Sequence, residues 1–429
     1  MKKAFHLCSL FLTFLLLFPS CDATDPNIED ETTPSVKWDG TASIWLKGTG
    51  TQADPYQIET AEHLAYLAQQ VNLGTTYEEK YFKLINDLNL DGSETKQWTP
   101  IGGYTNGVYT GIFKGRFDGN NKIISKLYIN KKYDKNIGLF GYIGSNSGIS
   151  NVGLNSNCTV IGKTHVGGIV GYLVASYNVP VIKNCFNKGL VTADDGQVGG
   201  IVGTASGTTI DSCYNTGAIL GARSVGGIVG FVPTNCITVI KKCYNKGSVT
   251  STGNNIGPAS TGGIVGAISS VSSTLTYCFN EGAVKGASVQ IAGTGGIVGD
   301  TYAWVSYCYN KGSVTSTNKT NLGGIAGYVI SSQYAYSLGI EQCYNSGSIT
   351  GTSDSQLGGI VGYLPTSGSV SNSYYLSTCV TNGNSHGTSK TQAEIKATSM
   401  ITLLNTYGTP FKVDYSTNIN GGYPILNWQ

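Results

Sequence analysis

The octapeptide CYNKGSVT occurs at Cys243–Thr250 and again, letter for letter, at Cys308–Thr315. It belongs to a longer unit in which a C-[YF]-N-x-G segment alternates with a GGIVG-type pentapeptide. The pentapeptide begins at Gly167, Gly199, Gly226, Gly262, Gly295, Gly323 and Gly358, and a degenerate GLFG begins at Gly138. Consecutive pentapeptides lie 27 to 36 residues apart. Self-similarity at such a period indicates a repeat architecture.

Each unit contains three short runs of β-branched and aromatic residues, of the types VGGIVGY, I-x-x-C-Y-N and GSVT. Runs of this kind separated by Gly, Asn, Ser and Thr are typical of strands. Strands of fixed length joined by loops of variable length predict coils stacked in parallel. The runs are too short for a transmembrane β-barrel, whose strands have about ten residues. We therefore expect an all-β protein, a right-handed parallel β-helix of about eight coils.

The alternating pentapeptide and C-Y-N-x-G-S-V-T segments resemble the GLUG-motif repeats of bacterial surface proteins. The resemblance covers about residues 81–376 and extends to flanking segments such as GYPILNW at Gly422. Such repeats also occur in immunoglobulin A proteases and adhesins, and they form right-handed β-helices. The resemblance implies an adhesin-like surface lipoprotein, although a shared fold says little about activity.

Stacked coils place like residues above like, about 4.8 Å apart. The recurring glycines then indicate a corner that needs either positive φ or close approach of two backbones. The degenerate coil carries Val152 and Leu154 where other coils carry Cys and Asn, so the cysteine column is expected to point into the core. Its members are Cys185, Cys213, Cys243, Cys278, Cys308 and Cys343. We expect free thiols in this column, while the pairing of Cys158, Cys236 and Cys379 stays open.

The residue after each of these cysteines is aromatic and is expected to point outward. These rings are Phe186, Tyr214, Tyr244, Phe279, Tyr309 and Tyr344, and Tyr374 continues the column. An exposed row of rings would be a candidate surface for stacking on sugars or for a partner's apolar surface. The alternative is that the rings cover one another beneath neighbouring loops.

Short helical segments are expected to cap both ends of the stack. Leu64, Leu67, Ala68 and Val71 recur at helical spacing, and Thr391–Glu394 forms a T-x-x-E capping box. The predicted organisation is therefore an N-terminal cap over residues 44–80, the β-helix over 81–376 and a C-terminal cap over 377–429.

The first residues indicate export. Lys2 and Lys3 precede a short apolar run, so residues 1–20 are predicted to be a signal peptide. Cys21 and the acidic residues behind it resemble a bacterial lipobox, with Cys21 as the lipidated residue. Residues 21–43 are then an acidic tether, and the chain is expected to be an outer-membrane lipoprotein exposed at the cell surface.

Composition excludes several function classes. The net charge is +2, which offers no basic footprint for nucleic acid. The sequence DLNLDG at Asp87 begins like a calcium loop but has Trp98 at the twelfth position, so no metal site is predicted. No cofactor motif is present, and the acids do not recur in one column of adjacent coils. We predict no catalytic residues.

The favoured function is therefore binding or scaffolding, with a glycan or a host surface protein as partner and the lipid as the only membrane contact. Two alternatives stay open. One is an inert spacer or a protein that docks to another envelope component. The other, from a different class, is a polysaccharide-degrading β-helix, which needs a groove where two carboxylates meet a Lys or Arg.

Overall fold

The computed structural model describes residues 36–105, 108–175, 177–253, 259–287, 292–330, 338–415 and 418–429. They form a parallel β-solenoid of about nine turns, which confirms the predicted architecture and is close to the predicted eight coils. Equivalent residues of successive coils pair in register, as Tyr214 does with Tyr244 and Asn215 with Asn245. The repeat thus sets the register, because each motif finds its own copy one coil away.

Three sheets run along the solenoid. The first comprises Tyr56–Ile58, Tyr81–Leu84, Leu88–Asn89, Arg116–Ser125, Gly148–Leu154, Val181–Lys183, Phe186–Asn187, Thr209–Asp211, Tyr214–Asn215, Val239–Lys241, Tyr244–Asn245, Thr274–Thr276, Phe279–Asn280, Trp304–Ser306, Tyr309–Asn310, Leu338–Glu341, Tyr344–Asn345, Gly368–Ser371, Tyr374–Leu376 and Thr388–Lys390. The second comprises Gly103–Thr105, Val108–Gly111, Tyr128–Ile137, Thr159–Gly167, Leu190–Ala193, Val198–Gly199, Ile219–Gly221, Val225–Gly226, Val249–Ser251, Thr261–Gly262, Val284–Gly286, Gly293–Gly295, Val314–Ser316, Asn321–Gly323, Ile349–Thr350 and Gln356–Gly358. The third comprises Phe140–Ile143, Val170–Val174, Val202–Ser206, Val229–Val232, Val265–Ile268, Val298–Thr301, Ala326–Val329 and Val361–Tyr363.

The first sheet bends once in every repeat, immediately before the cysteine. The residue at the bend has a positive φ, although it is never glycine: it is Asn184, Ser212, Lys242, Tyr277, Tyr307, Gln342 or Asn372. One residue in the left-handed region bends the chain and thus divides the I-x-x strand from the C-Y-N strand. Nothing in the varied residue types at this position announced the bend.

The glycines of the pentapeptide have no positive φ, so close approach of backbones explains them. The same holds for the glycine of C-Y-N-x-G. A Cβ added to Gly247 would lie 2.0 Å from the carbonyl oxygen of Gly217 in the preceding coil. Only glycine allows the coils to stack this closely at that corner.

The N-terminal part is built into the solenoid. Helix α1, Ala61–Asn72, begins at its N-cap Thr60 and buries the predicted stripe of Leu64, Leu67, Ala68 and Val71. Strand Tyr56–Ile58 pairs with Tyr81–Leu84, so the sheet starts before the predicted boundary at residue 81.

The predicted extent of the tether is wrong at its C-terminal end. Lys37 forms a parallel bridge with Asn89, and Trp38 packs edge-on against Trp98 with ring centroids 5.4 Å apart. Burial of an indole fixes residues 37 and 38 to the folded body. The predicted signal peptide, Cys21 and the remainder of the tether lie outside the described residues. Among the residues that are described, no helix is long and apolar enough to cross a membrane.

The C-terminal residues contribute helix α2, Gln392–Lys396, helix α3, Thr398–Leu404, and a two-stranded antiparallel sheet, Phe411–Lys412 with Ile425–Leu426. Both halves of the predicted capping box are present, since Thr391 and Glu394 bond each other's backbone N–H groups.

A buried carboxylate gives stability a specific pH dependence. Asp300 accepts hydrogen bonds from Ser260 Oγ at 2.5 Å and from the Gly293 N–H at 2.6 Å. Burial nevertheless raises the pKa of Asp300 from 3.8 to about 7. The folded state then holds one more proton than the unfolded chain between these pKa values. We expect the free energy of unfolding to fall as pH rises from about 4 to about 7, by at most about 1.4 kcal/mol per pH unit.

Urea unfolding across this range, with Asp300→Asn as the comparison, tests this expectation. The variant cannot ionise, so the difference between its pH profile and that of the unchanged chain isolates the Asp300 contribution. Parallel profiles would contradict the expected pH dependence.

Candidate binding surfaces

The predicted row of aromatic residues exists as a column of stacked rings. We call Phe186, Tyr214, Tyr244, Phe279, Tyr309, Tyr344 and Tyr374 the aromatic column. From Phe186 to Tyr344, neighbouring centroids are 4.9 to 5.1 Å apart and the ring planes differ by 2° to 9°. The last four rings pack with C-terminal residues and not with the lumen of the solenoid, so this column points outward.

Stacking leaves little of each ring for a ligand. Each inner ring covers both of its faces with its neighbours, and the face of Phe186 toward the N-terminus lies over Gly153, where an added Cβ would be 2.0 Å from the ring. Ring edges and the tyrosine hydroxyls are what the column can present. Stacking on a sugar requires an exposed face, so this surface does not offer the predicted stacking platform.

The C-terminal half of the aromatic column is buried. Phe279, Tyr309, Tyr344 and Tyr374 are at most 7% exposed. These four residues therefore follow the alternative in which the rings are covered, and in the column Phe186, Tyr214 and Tyr244 keep a partly exposed edge. The cover comes from the chain itself: the rings share one apolar cluster with Ile395, Met400, Leu404, Phe411 and Leu426.

The segment 391–429 is thus a strap along the side of the solenoid, whereas a cap on its end was predicted. Residues 388–390 instead extend the last coil. Polar contacts fix the strap: Trp428 Nε1 donates to the Tyr277 carbonyl at 3.0 Å, and Asn420 Nδ2 donates to Tyr344 Oη at 2.7 Å. Burial raises the pKa of the Tyr344 phenol, so its hydroxyl stays protonated and donates to the Pro424 carbonyl at 2.5 Å.

Phe411→Ala should release the strap without unfolding the solenoid. Phe411 is 2% exposed and its ring lies 5.9 Å from that of Tyr344. Removing such a buried ring costs about 3 to 5 kcal/mol, and the loss falls on the strap, whose strands form a two-stranded sheet separate from those of the solenoid. Limited proteolysis should cut within residues 391–429 much faster in this variant than in Tyr407→Ala, whose side chain is 64% exposed. Equal cleavage in the two variants would contradict this expectation.

Comparisons with known proteins agree with the repeat geometry. The family described as "The GLUG motif" matches residues 194–220, which hold one pentapeptide and one C-Y-N-x-G segment. The chain thus carries a GLUG motif within its repeat β-helix. The chain is 29% identical to "Halomucin" of Haloquadratum walsbyi over 38% of the chain and 2% of that protein. It is 35% identical to a "Putative Gly-rich membrane protein" of Evansella cellulosilytica over 33% of the chain and 15% of that protein.

The GLUG-repeat chain thus spans only a small part of the length of these relatives. Among solved structures, it is similar to a "putative immunoglobulin A1 protease" from Bacteroides ovatus, with a TM-score of 0.47 and 20% identity over 89% of this chain and 95% of that one. At this level of similarity the relation gives no information about activity.

The cysteines of the GLUG repeats lie in the lumen. All six members of the cysteine column are fully buried and free. Each thiol donates to the carbonyl two residues earlier, as Cys243 does to Lys241 at 3.2 Å. Burial raises the pKa of the Cys185, Cys213, Cys278 and Cys343 thiols. These four thiols therefore pack as small apolar groups. Cys236 and Cys379 are free thiols as well, and Cys158 Sγ donates to the Ile124 carbonyl at 3.3 Å.

The asparagines of the same motif form a column that the sequence analysis did not interpret. Asn187, Asn215, Asn245, Asn280, Asn310 and Asn345 are fully buried. In each of the first five, Nδ2 donates to the Oδ1 of the next asparagine at 2.8 Å. The same Nδ2 also donates to a glycine carbonyl two residues on, as Asn245 does to Gly247 at 2.8 Å. The invariant Asn-x-Gly spacing was the available signal.

A groove opens where the third sheet turns into the first, and we call it the corner groove. Its volume is about 920 Å³. It exists because two residues separate Val202–Ser206 from Thr209–Asp211, whereas six separate Val170–Val174 from Val181–Lys183 and six separate Val229–Val232 from Val239–Lys241. The longer turns expose Tyr177 (57%), Val179 (58%) and Ile237 (63%), and Val271 (46%) completes the wall.

The possible metal-binding side chains of the described residues lie apart from one another. Within the described parts of the chain, no three His, Cys, Asp or Glu residues lie close enough to hold a metal ion. His165, the most buried histidine of the repeats, bonds Thr204 Oγ1 at 2.8 Å, and burial lowers its pKa to about 4.

Proposed function

We propose that this chain is a non-enzymatic cell-surface protein that acts as an adhesin-like binding module. In this proposal the solenoid is a rigid scaffold anchored through a lipid on Cys21, and its partner is a host surface protein, with a glycan as the second candidate. The names of the relatives support a surface location, since one is called halomucin and the other a membrane protein.

The observation that carries this proposal is the corner groove. Four large apolar side chains, Tyr177, Val179, Ile237 and Val271, are exposed around one concave surface. Contiguous exposed apolar surface of this kind is characteristic of interaction sites on soluble proteins. Asn235 and Ser272 on the same walls are exposed and add polar groups, so the groove can bury a partner's aromatic or aliphatic side chain and also orient it.

The aromatic column supports the proposal less than the sequence suggested. Its buried half holds the strap, and its open half presents ring edges. We assign it the structural role of docking residues 391–429 and assign partner binding to the corner groove.

An array of host matrix proteins and glycans tests the proposed function. The probe is the full chain carrying Cys21→Ser, which cannot be lipidated, together with Tyr177→Ser and Ile237→Ser. Binding that falls about tenfold or more in the two groove variants is expected, since central apolar contacts dominate interfaces. Tyr133→Ser, which removes a 79% exposed ring on the second sheet, is the control and should bind normally. Silence across the array would favour an inert spacer.

The proposed anchor has its own test. Cells producing the unchanged chain should incorporate labelled fatty acid into it and expose it to added protease, and Cys21→Ser should abolish the label. Label without surface exposure would place the protein on the inner face and contradict the adhesin role.

The polysaccharide-degrading alternative is tested on the same array by following cleavage. One groove of the first sheet does hold two carboxylates, Asp54 and Asp118, near Lys and Arg. Each carboxylate is engaged by its own chain: Asp54 accepts from the Thr49 N–H at 3.0 Å, and Asp118 accepts from Asn151 Nδ2 at 2.8 Å. Groups committed to such bonds are poorly placed to move protons, which supports binding over hydrolysis. Cleavage of any array glycan would overturn the non-enzymatic proposal.

A further inference from the structure

A second groove lies on the outer surface of the first sheet. It shares no lining residue with the corner groove. We call it the axial groove, and its volume is about 720 Å³. Its floor follows one column of residues in adjacent coils, and strand pairing fixes their order. This floor column is Gln57, Lys83, Asp118, Ser150 and Lys183.

A glycine creates the depression. The neighbouring outward column runs Tyr81, Arg116, Gly148, Val181, so one coil lacks a side chain between two that carry one. A Cβ added to Gly148 would meet no atom closer than 3.7 Å, and its φ is not in the left-handed region. Neither packing nor backbone conformation therefore demands glycine here. The residue leaves a space that a ligand could fill.

The positively charged side chains of this groove are available to a ligand. Lys83, Arg116 and Lys183 line it, and among the described residues none of the three forms an ion pair. The Arg116 guanidinium lies over the Tyr81 ring, 5.9 Å from its centroid, which orients it without neutralising it.

The two acids of the groove, Asp54 and Asp118, form no ion pair with these cations among the described residues. Asp118 accepts from Asn151 Nδ2 and from the Asn120 N–H at 2.9 Å, and Asp54 accepts from the Thr49 N–H. Farther along the floor column the pattern changes, because Lys241 pairs with Asp211 at 3.8 Å. Within the floor column, Lys83 and Lys183 are thus more available to an anionic ligand than Lys241.

We propose that the axial groove binds an acidic oligosaccharide lying along the solenoid axis. Lys83 and Lys183 are three coils apart, about 14 Å at the usual strand spacing, so they suit an extended ligand with repeated carboxylate or sulfate groups. Cationic donors bind such groups through charge-assisted hydrogen bonds. Gln57, Asn120 and Ser150 add amide and hydroxyl groups of the kind that match sugar hydroxyls. This site is independent of the corner groove and of any partner bound there.

Calorimetric titration of the full chain carrying Cys21→Ser tests the inference. The probes are a heparin-derived hexasaccharide, an oligogalacturonate hexamer and neutral cellohexaose. We expect one or both acidic sugars to bind and the neutral sugar not to bind. Lys83→Gln and Lys183→Gln should each weaken binding about tenfold. Gly148→Phe should abolish binding by filling the depression while leaving the fold unchanged, as judged by circular dichroism.

Lys241→Gln is the matched control, since it removes a cation from the same column outside the groove. It should change affinity less than twofold, because removing a surface charge that is already paired has a small effect. Equal losses in Lys241→Gln and Lys83→Gln would reveal non-specific attraction and overturn the inference. Binding of cellohexaose as tightly as the acidic sugars, or no binding of any probe, would overturn it as well.

Discussion

Asn245→Asp is expected to lower the free energy of unfolding by about 3 to 5 kcal/mol, the range associated with an uncompensated charge in a protein interior. Asn245 is fully buried in the middle of the asparagine column. Its Nδ2 donates to the Oδ1 of Asn280 and to the Gly247 carbonyl, both at 2.8 Å. The substitution replaces this donor with an oxygen that faces two other oxygens. Both lost bonds leave buried acceptors without partners.

The loss should depend on pH. An aspartate at this position can regain one donor only by being protonated, and burial favours the neutral acid. The variant should therefore be less destabilised at pH 4 than at pH 7. Guanidinium unfolding followed by circular dichroism measures both values, and hydrogen exchange shows whether the coils next to Asn245 open first.

Asn382→Asp is the control, because Asn382 is exposed and an aspartate tolerates its positive φ of 55°. It should change stability by less than about 0.5 kcal/mol. If both variants behaved alike, the asparagine column would be a by-product of the repeat and not a source of stability.

Periodicity allowed the overall fold to be predicted. The pentapeptide and C-Y-N-x-G repeats specify stacked coils, because a residue can find its own copy in the next coil only in a parallel, in-register arrangement. The degenerate coil gave the direction of the side chains: Val152 and Leu154 are fully buried in the structure. The helix over Ala61–Asn72 and the capping box at Thr391 were also predictable, because both depend on residues close together in sequence.

The role of the aromatic column could not be predicted from the repeat. Whether Tyr309 and Tyr344 face solvent depends on residues 391–429, which lie outside the repeat and fold back on it. Their contacts span long sequence separations, such as Tyr277 with Trp428. The pattern of a repeat specifies which way a side chain points, but it carries no information about what a non-repeating segment will cover. The corner groove and the axial groove were missed for a related reason, since each arises where one coil departs from the pattern.

The two repeated motifs also prove to be physically coupled. In six of the seven pentapeptides the second glycine lies against the asparagine of the other motif, and in the seventh Gly359 lies against Tyr375. A Cβ on Gly227 would be 2.5 Å from the Asn245 amide carbon, and one on Gly263 would be 2.4 Å from that of Asn280. The coil that lacks the second glycine, GLFG at Gly138, also lacks the asparagine and carries Leu154 in its place.

Gly263→Ala should therefore be as damaging as a large core substitution, although it adds one methyl group. The new Cβ would also lie 2.1 Å from the Gly296 carbonyl oxygen of the next coil, a contact that backbone must move to relieve. Overpacking of this kind costs about 1 to 3 kcal/mol. We expect a loss of stability at the upper end of this range, because relieving the contact also displaces the backbone of the adjoining coil. Chemical denaturation measures it, with Gly148→Ala as the control, because an added Cβ there meets no atom closer than 3.7 Å and the φ of Gly148 is not in the left-handed region.

A double-mutant cycle with Asn280→Ala then separates the two contacts. If the amide is part of the obstruction, the double variant should lose less stability than the sum of the single variants by about 1 kcal/mol, as expected for side chains in direct contact. The carbonyl clash remains in the double variant, so rescue should be partial. If the two losses of stability were strictly additive, the neighbouring backbone alone would require glycine at this position. The shared absence of glycine and asparagine from the degenerate coil would then need another physical cause.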